Sequence, residues 1–202
     1  VGGQAETLTV EISPSNASDT TVIWGSSDPS VATVENGVVT AVGMGVASIS
    51  VKSADEVYED ACEVTVWNSC GDDAKWRVEN TSTLIIAGEG AISDSASAVK
   101  QPWASVKAKI TTVQIGSGIT VIGKSAFAMF SKLESLEISE DSVLTEIATN
   151  AFMATAKLKE IYLPNTLTKI GDANIASKNI HFGGTASEWE ALNYTGKQKV
   201  YV

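Results

Sequence analysis

His181 is the only histidine in the chain, and Cys62 and Cys70 are its only cysteines. These counts limit the chemistry at once. One histidine excludes a histidine-rich metal centre, and a Cys–His pair would have to bring Cys62 or Cys70 to a residue more than a hundred positions away. No HExxH, P-loop, dinucleotide fingerprint or G-x-S-x-G occurs, and Gly88-Glu89-Gly90 reads as a lone turn between apolar strands. The carboxylates form no pairing from which glycosidase chemistry could be argued. The acidic run Asp55-Glu56-Val57-Tyr58-Glu59-Asp60 lacks the ligand spacing of a calcium loop and reads as a solvated hairpin turn. The sequence therefore predicts a non-enzymatic protein that needs no cofactor and no metal.

The two cysteines are too few for a disulfide framework. Fully extended, the stretch between them would span roughly 26 Å, so two separate buried thiols are expected unless the chain doubles back. The net charge of −10 is unevenly shared. Residues 1–67 hold ten acids against one base, Lys52, whereas residues 68–202 are close to neutral. No basic cluster exists, so a nucleic-acid partner is excluded. No apolar run approaches the length of a membrane span. No charged-then-apolar leader follows Val1, so any signal or anchor would lie outside this sequence.

What remains is binding, and the elements that would position a binding surface are legible. From Thr7 to Trp67, short alternating runs (LTVEIS, TVIW, VATV, VVTAV, VASISV, CEVTV) are separated by turn clusters such as SPSNASD and GSSDPS. Period-two alternation broken at such intervals predicts an antiparallel all-β sandwich. Leu8, Val10 and Ile12 should point inward, and Asn36-Gly37 should close a tight hairpin. The second part of the chain repeats itself. TVIGKSAFAMF, TEIATNAFMAT and the fainter TKIGDANIAS recur in step with ITTVQI, LESLEI and LKEIYL. Spacing in the low twenties with an L-x-x-L-x-L core is the signature of leucine-rich repeats, whose units stack because one alone cannot bury its apolar edge.

In each repeat the anchors (Leu133, Leu136 and Ile138, for example) should point inward. Ile122, Ile147 and Ile170 should return the chain to the interior, and Ala126-Phe127 or Ala151-Phe152 should begin a short helical turn. The intervening strand residues face out. They form one expected column of Gln114, Glu137, Tyr162 and His181, beside a second of Thr112, Ser135, Glu160 and Asn179. Trp189 is expected to pack the closing helix onto the last coil.

The residues also carry two family resemblances. Trp24, Ser26-Ser27-Asp28-Pro29, Val31–Val34, Asn36–Ala41 and Gly45–Ile49 resemble the group 2 bacterial immunoglobulin-like domain. Such domains usually open one strand earlier, so the chain is expected to start within the domain. The repeats resemble the BspA-like leucine-rich repeats of bacterial and protist surface proteins. Cys70-Gly71, Trp76, residues 83–92 and Pro102-Trp103 resemble the segment that precedes them, and residues 180–192 resemble their closing unit. Phe130 and Thr155 stand where that family often has Cys, and Asn174-Ile175 replaces Ala-Phe in the third copy.

The expected organisation is an Ig-like sandwich over residues 1–67 that lacks its first strand, and a leucine-rich-repeat solenoid over 68–202. The latter divides into an N-terminal cap (68–109), repeats (110–179) and a C-terminal cap (180–202). WNSC leaves almost no linker, so a restricted elongated arrangement is expected. The resemblances imply a monomeric, secreted or surface-anchored bacterial protein. Its partner would be an extracellular protein or glycan met through the strand columns, with the Ig-like part as spacer; a carbohydrate-handling role and a purely structural stalk are the other readings.

Overall fold

The computed structural model describes residues 3–171, 175, 177 and 179–202. The chain divides into two compact units, Val1–Asn68 and Ser69–Val202. Asn174 and its neighbours in the third repeat copy lie outside the described residues, apart from Ile175, which is buried.

The first unit contains two three-stranded antiparallel sheets. One is formed by β1 (Ala5–Thr7), β4 (Val38–Ala41) and β3 (Ala32–Glu35), with β4 central. The other is formed by β2 (Val22–Ser26), β5 (Gly45–Ser53) and β6 (Glu59–Val66), with β5 central. Ala32, Val39, Ala47, Ile49 and Val66 form the buried core, against which Leu8, Trp24 and Val34 pack. Asn36 and Gly37 take φ of 49° and 81°, closing the β3–β4 hairpin where the sequence placed it. Residues 54–58 link β5 to β6 as a hairpin turn, in which Asp55 Oδ1 accepts from Ser53 Oγ and Val57 N.

Two expectations fail in this unit. LTVEIS does not form a strand. The β1–β4 ladder ends at Thr7 opposite Val38, because the next partner position is Gly37, already in the hairpin turn. Leu8 N donates to Gly37 O, and beyond it residues 9–13 make no backbone hydrogen bond to another described residue. Val10 is consequently 39% exposed rather than buried. Cys62 is also exposed, although it stands opposite the buried Ile49 on the inner face of its sheet. Both cysteines are free; burial pushes the Cys70 thiol up to about 12.

A two-residue β7 (Asn68–Ser69) precedes the elements of the second unit: β8 (Asp73–Glu79), β9 (Thr83–Ile92), β10 (Thr112–Ile115), β11 (Ile119–Ile122), β12 (Ser135–Ile138), β13 (Glu146–Ile147), β14 (Glu160–Leu163), β15 (Lys169–Ile170), β16 (Asn179–Phe182), α1 (Ala186–Ala191) and β17 (Lys199–Tyr201). β8 pairs antiparallel with β9, and β9 then serves two parallel ladders. Its first half pairs with β10, which pairs with β12, aligning Leu84, Val113 and Leu136. Its last residues pair with β11, followed by β13 and β15, aligning Ile92, Ile122, Ile147 and Ile170. All four isoleucines are buried. The apolar columns arise because each strand presents an aliphatic side chain at the same ladder position. Gly88-Glu89-Gly90 is thus no turn between strands but a bend inside β9, with Gly88 at φ +89° and Gly90 at φ +81°.

The Ala-Phe segments bury their aromatic side chains, as expected, but are not helical. Ser125 and Met129 take φ of 56° and 63°, and the equivalent Asn150 and Ala154 take 60° and 59°. Left-handed residues four positions apart interrupt a right-handed helix. Alternate N–H groups instead cross to the next repeat: Ser125 to Thr149 O, Phe127 to Ala151 O and Met129 to Met153 O, at 2.7–3.2 Å. Ala154 is exposed, so Ala154→Gly should relieve left-handed strain without opening a cavity. A gain of about 0.5–1 kcal/mol is expected in chemical denaturation.

Behind these turns, Trp103, Phe127 and Phe152 stack at centroid spacings of 5.1 and 5.5 Å, with Phe130 edge-on to Phe127 at 5.6 Å. Trp103 Nε1 donates to Ala126 O at 2.9 Å. Gln101, also buried, donates to Ser125 O and Ala128 O. Thr155 Oγ1 satisfies itself on Phe152 O at 2.8 Å. At the other end, Trp189 of α1 packs on Phe182 and Tyr194, at 5.4 and 5.6 Å.

Candidate functional site

The outward residues of the second unit fall into rows because parallel strands in register place equivalent side chains side by side. Thr112 aligns with Ser135, and Gln114 with Glu137; β9 extends these rows with Thr83 and Ile85. Farther along the chain, Glu160 aligns with Asn179 and Lys199, and Tyr162 with His181 and Tyr201. The column of Gln114, Glu137, Tyr162 and His181 is therefore assembled in two pieces. β12 packs beside β14, but the two belong to different hydrogen-bonded sheets.

The first piece is polar and self-satisfied. Gln114 Nε2 donates to Glu137 Oε2 at 2.9 Å, and Ser135 Oγ approaches Glu137 Oε1 at 3.4 Å. The second piece is aromatic. His181 lies face to face with Tyr162 at 4.4 Å and with Tyr201 at 4.8 Å, with interplanar angles of 11° and 8°. Lys199 Nζ stands 4.8 Å from the Tyr201 ring centroid, within cation–π range. Both faces of His181 are occupied by its neighbours, so the row presents ring edges and phenolic hydroxyls rather than an open histidine platform.

Glu160 ties this stack together. Its Oε1 accepts from Asn179 Nδ2 at 3.2 Å, and its Oε2 accepts from Tyr162 OH at 3.1 Å and lies 3.5 Å from His181 Nε2. The Asn179 and Tyr162 hydrogen bonds favour the ionised carboxylate and hold it below the ordinary glutamate range. The carboxylate in turn pushes the Tyr162 phenol upward. Because the folded-state value is depressed, the stabilisation is present above the unfolded value and is lost as pH falls through the folded one. Carbon-detected NMR should find Glu160 titrating below the ordinary glutamate value, and Asn179→Ala should move it upward. An unchanged titration would remove Asn179 from this network.

Sequence reasoning missed Lys199 and Tyr201. Their signal was present: Lys-Val-Tyr repeats the outward-inward-outward pattern of Glu160-Ile161-Tyr162 and Asn179-Ile180-His181. Trp189, half-buried against Phe182 and Tyr194, lies outside the row.

Residues 1–66 match the family described as bacterial Ig-like domain (group 2), and residues 101–182 match that described as BspA type leucine-rich repeat region (6 copies). The chain carries a group 2 bacterial Ig-like domain and a BspA-type leucine-rich-repeat region. No catalytic family is indicated by these matches. An uncharacterized protein of Clostridium acetobutylicum is 46% identical over 54 residues, which is 26% of this chain and 14% of that protein. Among solved structures, a leucine-rich repeat protein from Eubacterium ventriosum is similar over 67% of this chain and 44% of its own, at 21% identity and a TM-score of 0.47. A leucine rich cell surface protein from Faecalibacterium prausnitzii is similar over 63% and 42%, at 18% identity and a TM-score of 0.36. The chain thus spans less than half the length of each of these relatives. Among the described residues, no helix of the BspA-type region or the Ig-like domain is long and apolar enough to cross a membrane.

Proposed function

We propose that this chain is the binding part of a bacterial cell-surface protein, in which the BspA-type repeats form a short solenoid and the Ig-like domain serves as a spacer. The ligand is a macromolecule met along the outward strand rows. The observation that carries this reading is the Tyr162–His181–Tyr201 stack, braced by Glu160, Asn179 and Lys199. Inward positions repeat because packing demands it; these outward positions do not repeat, and they place aromatic edges, hydroxyls and charge on a prearranged surface. Such a row suits a protein ligand, since tyrosine offers apolar area together with a hydroxyl at small entropic cost. The stack occupies both faces of His181, so a saccharide would be left only the outer faces of Tyr162 and Tyr201.

The test is a binding screen of the whole chain against extracellular matrix proteins, cell surfaces and a glycan array. A protein hit weakened about tenfold or more by Tyr162→Ala is the expected result. A glycan hit lost in the same variant would favour the carbohydrate reading, and uniformly negative binding would overturn both.

A further inference from the structure

The Tyr162–His181–Tyr201 stack has two ends, and the chain finishes them differently. At the β17 end, Lys199 Nζ stands over the Tyr201 ring, 4.8 Å from its centroid. At the β14 end, no cation or ring among the described residues meets Tyr162 other than His181. We propose that this open end binds an arginine side chain of the protein partner, with the guanidinium flat on Tyr162 and hydrogen-bonded to the carboxylates of Glu137 and Glu160. The inference rests on the protein-binding reading above and names what that partner must present.

Three observations converge on Tyr162. The first is its free face. Tyr162 is 59% exposed although His181 lies nearly parallel to it at 4.4 Å, so the face turned away from His181 is open to solvent. The second is where that face looks. His181 stands on β16, so the opposite face looks towards β12. There Glu137 holds the equivalent outward position, one residue after the buried anchor Leu136 as Tyr162 follows Ile161. β12 packs beside β14 without sharing a ladder, so the row is interrupted at this point. Glu137 is held from the far side by Gln114 of β10, whose Nε2 donates to its Oε2 at 2.9 Å. The third is charge. Glu137 and Glu160 flank the ring, and hydrogen bonds from Asn179 and Tyr162 keep the Glu160 carboxylate ionised into mild acid. The bases just before β14 serve another acid: Lys157 pairs with Glu134 at 2.9 Å, and Lys159 also acts on Glu134.

An arginine answers all three. Its guanidinium is planar, so it stacks on a tyrosine face while the N–H groups in its plane reach carboxylates at the margin of the ring. The Glu137 oxygens accept from Gln114 and Ser135, and each keeps a lone pair for a further donor. A lysine would supply the charge without the flat contact, as Lys199 does at the other end. A neutral sugar ring could cover the same face but would leave both carboxylates without a counter-charge.

The test uses the whole chain with isotope-labelled tyrosine, titrated with acetyl-Ala-Arg-Ala-amide and followed by NMR at the Tyr162 ring, whose signals Tyr162→Phe assigns. A saturable shift is expected, at least about threefold tighter than for the lysine peptide. The citrulline peptide, which keeps the planar shape and loses the charge, should bind about tenfold more weakly. Glu137→Gln should weaken arginine binding by about threefold or more with the Tyr162–His181 ring contact unchanged. No saturable shift with the arginine peptide, or equal affinity for the citrulline peptide, overturns the proposal. A protein partner found in the binding screen should lose binding when its arginines are blocked with phenylglyoxal and keep it when its lysines are acetylated. A partner that depends on Tyr162 but not on its own arginines would leave the protein-binding reading standing and overturn the arginine slot. Arginine binding at Tyr162 with no protein partner in the screen would keep the slot and overturn that reading.

Discussion

Phe127→Ala should destabilise the repeat unit by about 3–5 kcal/mol, the range for deleting a buried aromatic side chain. Phe127 is fully buried and touches three other rings: Trp103 and Phe152 stack on its two faces, and Phe130 meets it edge-on. The rings come from three successive turns of the chain, so their removal leaves a void that no single neighbour can fill without abandoning its own partner. Backbone bonds on both sides depend on the same position, with Phe127 N donating to Ala151 O and Trp103 Nε1 donating to the adjacent Ala126 O. Guanidinium denaturation followed by tryptophan fluorescence would measure the loss. Met129→Ala is the control two residues away: Met129 is 55% exposed, and its removal should cost less than about 0.5 kcal/mol. Similar values for the two variants would mean that the cluster is not the centre of this core.

That cluster also marks where the sequence was legible and where it was not. Phe127 and Phe152 stood out because their surroundings repeat. Trp103 fills the equivalent position one turn earlier, yet its neighbours QPWASV share no motif with SAFAMF, so spacing alone could not enrol it. β9 was hidden for a related reason. Its residues form the first rung of both parallel ladders, but two glycines in the middle imitate a turn. In the Ig-like domain, LTVEIS has every local property of a strand and still lacks a ladder, because pairing depends on what the neighbouring β4 has left to offer. Local pattern identified the inward faces well, and partner availability, which is non-local, decided the departures.

The outward rows show the same division. Register follows from repeat spacing, so alignment of Gln114 with Glu137 and of Tyr162 with His181 could be read in advance. The separation of β12 from the β14–β16–β17 sheet could not, since nothing in LESLEI or LKEIYL differs in a way that predicts a missing ladder. Nor could ring orientation be read: three aromatic rings in register can stand apart or stack, and only the side-chain geometry shows that they stack.

Gly88→Ala should be the most damaging small substitution in the repeat unit, and comparison with Gly90→Ala separates its two causes. Both glycines have positive φ, at 89° and 81°, so an alanine at either position takes on strain of about 1–3 kcal/mol. Only Gly88 also lacks room. A Cβ there would run into the backbone carbonyl of Asp73, on the antiparallel β8, whereas a Cβ on Gly90 would meet nothing within 4 Å. The carbonyl cannot rotate aside freely, because β8 is held in register with β9 from Asp73 opposite Glu89 to Glu79 opposite Thr83. An additional cost of about 1–3 kcal/mol is expected from this overpacking. Chemical denaturation of both variants would read the difference directly. The bend at Gly88 is where β9 leaves the β10 ladder on its way to that of β11, so the damage should spread to both, with faster amide exchange at Ile86 and Ile92 alike. Equal stabilities for the two alanine variants would mean that β8 yields, and that conformational freedom alone, not the close approach of the Asp73 carbonyl, is what this glycine supplies.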